Sequence, residues 1–364
     1  VEVRGRLVDL YRLQRNFARS GALAEAQFAL CGEGSELKAL QCLGIRNDRI
    51  ESSLFSGHSA RALVQVHEAR AFATAARLDD DYESVFVDYL DGMARRQLGD
   101  TGAAADAFLR LAERTLATVP AQHPGLLTDM LWFGVIALDL GNVELAARCA
   151  EHALAGRSAL YAPGSRYVHE VRLLRAQVAL AADDSVRARS ELSTILAFRE
   201  SQHGSESSPM TLAATWLALL DAASPADSRT TAGTDGAVLN VDDISARATE
   251  LRLLHALIAI ARGDVATATR LRGEVGDPAE RTSIPQWQPL ADLVAAGIAE
   301  IDGDAAAASA LRARIDTELG RQGRRLFDPV TKRWLGAKPA QADAIAARLQ
   351  GTATRIATAR QQPF

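Results

Sequence analysis

The residues able to do chemistry are few and scattered. Seven histidines, His58, His67, His123, His152, His169, His203 and His255, stand singly. None belongs to an HExxH run or another spacing that would set two imidazoles around one metal, so they read as solvated or linker histidines. Cys31, Cys42 and Cys149 form no CxxC pair and leave at least one thiol over. That argues against a disulfide framework or a four-cysteine zinc site, and for small buried hydrophobes. Carboxylates crowd at Asp79, Asp80 and Asp81 and again at Asp242 and Asp243. These places open helices, where negative charge complements the helix dipole with no catalytic role. The "GEG" at Gly32 to Gly34 has no strand before it, and there is no GxSxG elbow, Walker loop or kinase signature. An all-helical glycan hydrolase, the enzyme alternative, would need two carboxylates at a set separation and aromatic platforms. Trp132, Trp216, Trp287 and Trp334 are dispersed. The sequence therefore predicts no catalytic residue, no metal site and no cofactor.

Composition narrows the partners. The 364 residues carry a net charge of −4 and a pI near 6.0, which leaves no basic footprint for phosphate backbones and argues against nucleic acid. Hydrophobic residues make up 48% but aromatics only 5%, so the core must be built largely from small side chains. The longest apolar candidate, Leu253 to Ala261, falls short of the roughly 18 to 20 residues a membrane span needs. The first ten residues are mixed and charged, unlike a cleavable signal. A start at Val1 reads as a piece of a longer protein. Neither oligomeric state nor cellular side can be read.

The elements that would position any site are better marked. Three stretches repeat one pattern: "YLDGMARRQLGDTGAAADAFLRLAE", "LWFGVIALDLGNVELAARCAEHAL" and "LLRAQVALAADDSVRARSELSTIL". Their turn residues Gly99, Gly141 and Asp183 fall 42 residues apart, and Gly57 lies another 42 upstream. A fixed period of this length predicts an array of helical hairpins. Upstream, a first helix should stop at Gly21 and a second run from Ala22 to about Leu30. Downstream, the next turn is due at residue 225, where a helix stops at Ser224 and Pro225. Residues 221–243 then read as a flexible insertion rich in Ala, Ser, Thr, Gly and Asp. Turns return at Gly263 and Gly303, 40 residues apart, before a link "RRLFDPVTKRWLG" and a last helix from about Ala340 to Arg360. The basic cluster Arg321, Arg324, Arg325, Lys332, Arg333 and Lys338 around that link reads as the solvated cap of the array.

Within each unit a small residue sits mid-helix, a turn follows seven residues later, and alanine five after that. The sets are Gly92, Gly99, Ala104; Gly134, Gly141, Ala146; and Ala176, Asp183, Ala188. Small residues let antiparallel helices approach, and the turn residue supplies a left-handed stop. Phe108, Leu111, Leu145, Leu192 and Ile195 fill the gap to the neighbouring unit. These positions resemble the tetratricopeptide repeat, in its 42-residue kinesin-light-chain-like variety, as found in bacterial signalling proteins such as Ser/Thr kinases. Arg199, Glu200, His203, Gly204 and Pro209 resemble the linker of that variety. The likeness covers about Arg61 to Leu220 and lacks most of the consensus tryptophans and closing prolines.

The resemblance implies an all-α, right-handed α-solenoid of about seven or eight hairpins. Its parts would be N-terminal capping hairpins over 1–56, core repeats over 57–220, the insertion over 221–243, further hairpins over 244–318, and a link with a capping helix over 319–364. It implies a non-catalytic protein-interaction or sensory region of a larger signalling protein, associated with a Ser/Thr kinase. The alternative is a regulator binding a short signalling peptide. Such a region would be cytoplasmic, or periplasmic if it senses for a membrane-anchored kinase. Its partner, a protein or peptide, would lie in the concave groove on first-helix residues that point away from the hairpin. By the repeat's register these are Tyr89, Met93, Arg96 and Gln97, then Leu131 and Asp139, then Glu170 and Gln177, with Phe86, Val135, Leu138 and Leu173 beside them. The polar members suit backbone hydrogen bonds, and Tyr89 and Met93 suit apolar contact.

Overall fold

The computed structural model describes residues 7, 8, 10, 11, 17–32, 37–198, 208–223, 246–275, 285–361 and 364. Fifteen α-helices account for most of them. They are α1 Phe17–Phe28, α2 Ala39–Phe55, α3 Ser59–Ala75, α4 Tyr82–Gln97, α5 Thr101–Thr118, α6 Pro124–Asp139, α7 Val143–Leu160 and α8 Arg166–Ala181. Then come α9 Ser185–Ala197, α10 Ser208–Ala222, α11 Ala246–Ala261, α12 Val265–Val275, α13 Gln288–Ile301, α14 Ala305–Gln322 and α15 Ala342–Ala359. Each packs chiefly on its neighbour in sequence, so the fold is an all-α, right-handed solenoid of tetratricopeptide-like hairpins.

The turns show why. At Gly57, Gly99, Gly141, Gly263 and Gly303 the backbone is left-handed, and Asp183 takes the same conformation with φ 59°. Except at Gly57, where His58 makes no side-chain cap, the residue after the turn then caps the next helix. Asp100 accepts from Ala103 N, Asn142 from Leu145 N, Asp184 from Arg187 N, Asp264 from Thr267 N and Asp304 from Ala307 N, all at 2.9 to 3.0 Å. One dipeptide thus ends a helix and starts its partner, each cap contributing about 1 kcal/mol.

Small residues set the helix spacing. A methyl on Gly92 would lie 2.7 Å from the Phe108 ring, and one on Gly134 would lie 2.8 Å from Leu174 Cδ2. Three apolar clusters run along the array: one over α2 to α4, one over α4 to α8, and one over α8 to α14.

Several expectations change. Helix α1 runs straight through Gly21, because buried Ser20, Ala24 and Gln27, with a 3.1 Å hydrogen bond between Ser20 and Ser52, outweigh the roughly 1 kcal/mol a mid-helix glycine costs. Cys31 and Cys42 are joined in a disulfide, their Cα atoms lying 5.6 Å apart across 11 residues of sequence. Cys149 alone is a buried thiol, pushed up to about 12 by desolvation. The link folds into two short antiparallel strands, β1 Leu326–Asp328 and β2 Arg333–Leu335, with Phe327 opposite Trp334. The basic cluster is only partly solvated: Arg324 is buried, Arg321 pairs with Glu318 and Lys338 with Asp343. Helix α15 packs back against α5, α6 and α7 instead of on the end of the array, because Ile345, Leu349, Ala353 and Ile356 complete their core. Except for 221–223, the expected insertion lies outside the described residues. So do Arg199, Glu200, His203 and Gly204, and the side chain of Pro209.

Glycines in helices therefore divide by surroundings. Gly92→Val should lower stability by about 2 kcal/mol through overpacking against Phe108. Gly351→Ala, with nothing within 4 Å of the added methyl, should raise it by up to about 1 kcal/mol. Urea denaturation of both variants checks the pair.

Candidate functional site

First helices of successive hairpins touch one another: α2 meets α4, α6 meets α8, α8 meets α10, and α11 meets α13. They are therefore packed closer than the second helices and form the inner, concave wall. The 42-residue period gives the rows Phe86, Thr128, Glu170; Tyr89, Leu131, Leu173; Met93, Val135, Gln177; and Gln97, Asp139, Ala181, and the contacts between α4 and α6 fall within one residue of them, Tyr89 with Trp132 and Arg96 with Asp139.

The middle of the wall is apolar and aromatic. Tyr89 stacks on Phe86 with centroids 5.1 Å apart and meets Trp132 and Phe108 edge-on at 5.9 and 6.4 Å. Its hydroxyl is pushed up to about 12, by desolvation first and by the Glu170 carboxylate second. Leu131 is buried in the core, and Met93 is half-buried where the first two apolar clusters meet. Gln177 is half-buried on α8.

Charged pairs stand at both rims of the wall over α4, α6 and α8. At the rim where first helices begin, Arg157, 3% exposed, donates to Tyr167 O at 2.7 Å, Glu170 at 3.1 Å and Thr128 at 3.2 Å. At the opposite rim Arg96 Nε donates to Asp139 Oδ2 at 2.7 Å, and Arg324 Nη2 reaches Asp139 Oδ1 at 3.4 Å. Gln97 is turned aside, accepting from Ser59 at 2.5 Å. The rims lie 11 residues apart along a helix, or about 16 Å at 1.5 Å per residue.

Asp139 sits below the usual aspartate range. Burial pushes it up, but the Arg96 and Arg324 charges and the Arg96 hydrogen bond pull it further down. Burial likewise opposes the Arg96 charge and Asp139 outweighs it, with Glu250 of α11 adding to the effect. Arg324 moves the other way, lowered by burial, because its contact to the carboxylate is the longer one.

The structure thus joins Arg96 to Asp139 directly, gathers Tyr89, Met93 and Leu131 into the middle band, and sets Glu170 at the far rim. Sequence reasoning took Trp132 as dispersed, gave Arg324 to a solvated cap and missed Arg157. The spacing of Phe86 and Tyr89, one turn apart beside Trp132's row, carried a signal for the first. Arg324 had none, being 185 residues from Asp139. Elsewhere, buried Asp88 and Asp91 are held by Arg70, Arg95, Arg110 and Arg114 at 2.6 to 3.1 Å. Carboxylates so neutralised are poor acids or bases for glycan cleavage.

No family profile matches the chain, and no curated protein matches it. Among solved structures, one described as Rap protein complexed with competence and sporulation factor superposes with a TM-score of 0.53. It shares 12% identity and covers 99% of each chain. The likeness speaks for the fold: both chains, over almost their whole length, share one all-α helical array.

Asp139 gives the pH test. Its depressed folded value means that its stabilisation is complete above the unfolded value of about 3.9 and is lost as pH falls through the folded one. Asp139→Asn should cost about 3 kcal/mol near pH 7, leaving two guanidiniums against no carboxylate. Denaturant midpoints across pH 2 to 7 should show the difference from wild type shrinking toward the acid end.

Proposed function

We propose that this chain is a non-catalytic binding region whose inner wall takes a protein segment or short peptide. The observation that carries the reading is the wall's division into an aromatic and apolar band, about 16 Å wide, between two charged rims. Such a band accepts apolar side chains, while the rims supply directional partners for backbone or polar groups. The solved structure with the same fold over its full length is a complex with a competence and sporulation factor, which favours a binding role for such an array. Attachment to a larger signalling protein, with a Ser/Thr kinase as the catalytic part, rests on the resemblance of the 42-residue period. Neither nucleic acid nor membrane is part of the proposal. None of the described helices is long and apolar enough to cross a membrane.

The residues proposed to meet the ligand are Tyr89, Met93 and Gln177 in the band, with Leu131 shaping its floor. Arg96, Asp139 and Glu170 border it. Arg96 and Asp139 act as a pair, so changing either alone disturbs the rim before any ligand arrives. Gln97 contributes through Ser59, by holding the end of α4.

Binding is testable without knowing the natural ligand. A displayed library of random peptides should yield binders, measured afterwards by fluorescence anisotropy on the purified chain. Met93→Glu should weaken them at least about tenfold, since a carboxylate in the apolar band is left without a partner. Arg348→Ala, on the outer helix α15, should leave affinity unchanged. Equal affinity in all three proteins would remove the inner wall as the site.

A further inference from the structure

The turn glycines share one backbone conformation but not one environment. Gly99, Gly141, Gly263 and Gly303 have φ of 80°, 78°, 75° and 79°. A methyl added at Gly263 or Gly303 would meet nothing within 4 Å. At Gly99 it would run into Gln322 Cγ at 2.7 Å, and at Gly141 into Arg325 Cδ at 2.9 Å. The third turn in the same register follows α8, where Trp334 Nε1 donates to Ala181 O at 3.4 Å. Gln322, Arg325 and Trp334 belong to one segment, which leaves α14, forms β1 and β2, and crosses the ends of α4, α6 and α8 in order.

That segment is pinned along its length and at both ends. Arg325 N–H donates to Asp139 O at 2.6 Å, satisfying a carbonyl at the open end of α6. Gln322 Nε2 donates to Pro285 O at 3.0 Å, and Arg325 lies over the Trp334 ring at 4.9 Å. Beyond it, α15 is held by buried Ile345, Leu349 and Ile356, by Arg348 to Asp106 at 2.7 Å, and by Arg360 to Ala121 O at 3.0 Å. Before it, α14 is packed on α13. Helix α11 also touches α2, and the Pro285–Trp287 turn touches α4.

A solenoid whose units touch only their neighbours changes pitch by small additive rotations. Here the last hairpin is tied to three hairpins near the start, so pitch cannot change unless the segment slides over the turns. We propose that residues 322–335 form a clasp that fixes the pitch of the array, and that its release is the step that opens the inner wall. The seat suits release. Over α4, α6 and α8 it consists of hydrogen bonds, the long Arg324–Asp139 ion pair at 3.4 Å and packing on two glycines, while Leu326, Phe327, Val330 and Leu335 pack on the third apolar cluster; α15 is anchored by apolar burial and stays put as the clasp lifts. The inference concerns the unliganded chain, and it holds or fails independently of the peptide reading.

The test compares the full chain with Trp334→Ala, Gly99→Ala and Gly263→Ala by amide hydrogen exchange and small-angle X-ray scattering. Trp334→Ala and Gly99→Ala should speed exchange in residues 322–335 about tenfold and enlarge the radius of gyration. Gly263→Ala has the same backbone strain with no clasp above it, and it should change neither. An unchanged radius in both clasp variants overturns the proposal, as do equal effects from Gly99→Ala and Gly263→Ala. Should Gly99→Ala fail to fold, Gln322→Ala replaces it, removing the atoms that press on the turn without touching the backbone.

Discussion

A helical hairpin cannot bury both of its faces, and every level of this structure follows from that constraint. Each hairpin covers one face with the next hairpin, so the core grows along the chain as three apolar clusters joined end to end. The first helices are drawn together and become an inner wall. The outer side keeps a groove across α5, α6 and α7, and the chain fills it with its own last helix. What looks like a terminal cap in the sequence is therefore an internal patch on hairpins far upstream.

The same constraint explains where charge lies. Helix interiors on the inner wall must pack against neighbours, so the wall's middle is apolar. Helix ends, where backbone groups lack partners, collect the arginines and carboxylates. Asp139 is the clearest case. Its carboxylate holds Arg96 of the preceding hairpin and Arg324 of the clasp, while its carbonyl accepts from Arg325 N–H. One residue therefore links a hairpin, its neighbour and the far end of the chain. A buried carboxylate shared by two guanidiniums adds little net stability, but it is costly to break and fixes geometry.

Much of this was legible in the sequence because the signals are local. The 42-residue spacing of Gly57, Gly99, Gly141 and Asp183 located the hairpins, and Gly92 and Gly134 marked the close approaches. The rows of first-helix residues followed from the same spacing, which placed Tyr89 beside Leu131 and Gln97 beside Asp139. Contacts between distant residues left no trace. Nothing near Asp139 announces Arg324, nothing near Asp106 announces Arg348, and Cys31 and Cys42 resemble isolated hydrophobes until the fold brings them together. Gly21 misled for the opposite reason, since a local stop signal was overruled by tertiary burial of Ser20 and Ala24. Aromatic Trp132 was hidden because its neighbours Tyr89 and Phe108 come from another hairpin.

The central claim is that recognition occurs on the inner wall rather than on the turns or the outer groove. It is tested most directly by mapping amide hydrogen exchange of the full chain with and without a selected peptide. The account predicts slowed exchange concentrated in α4, α6 and α8, with α5, α7 and α9 changed little. Protection centred on α5, α7 and α15, with α4, α6 and α8 unaffected, would contradict it.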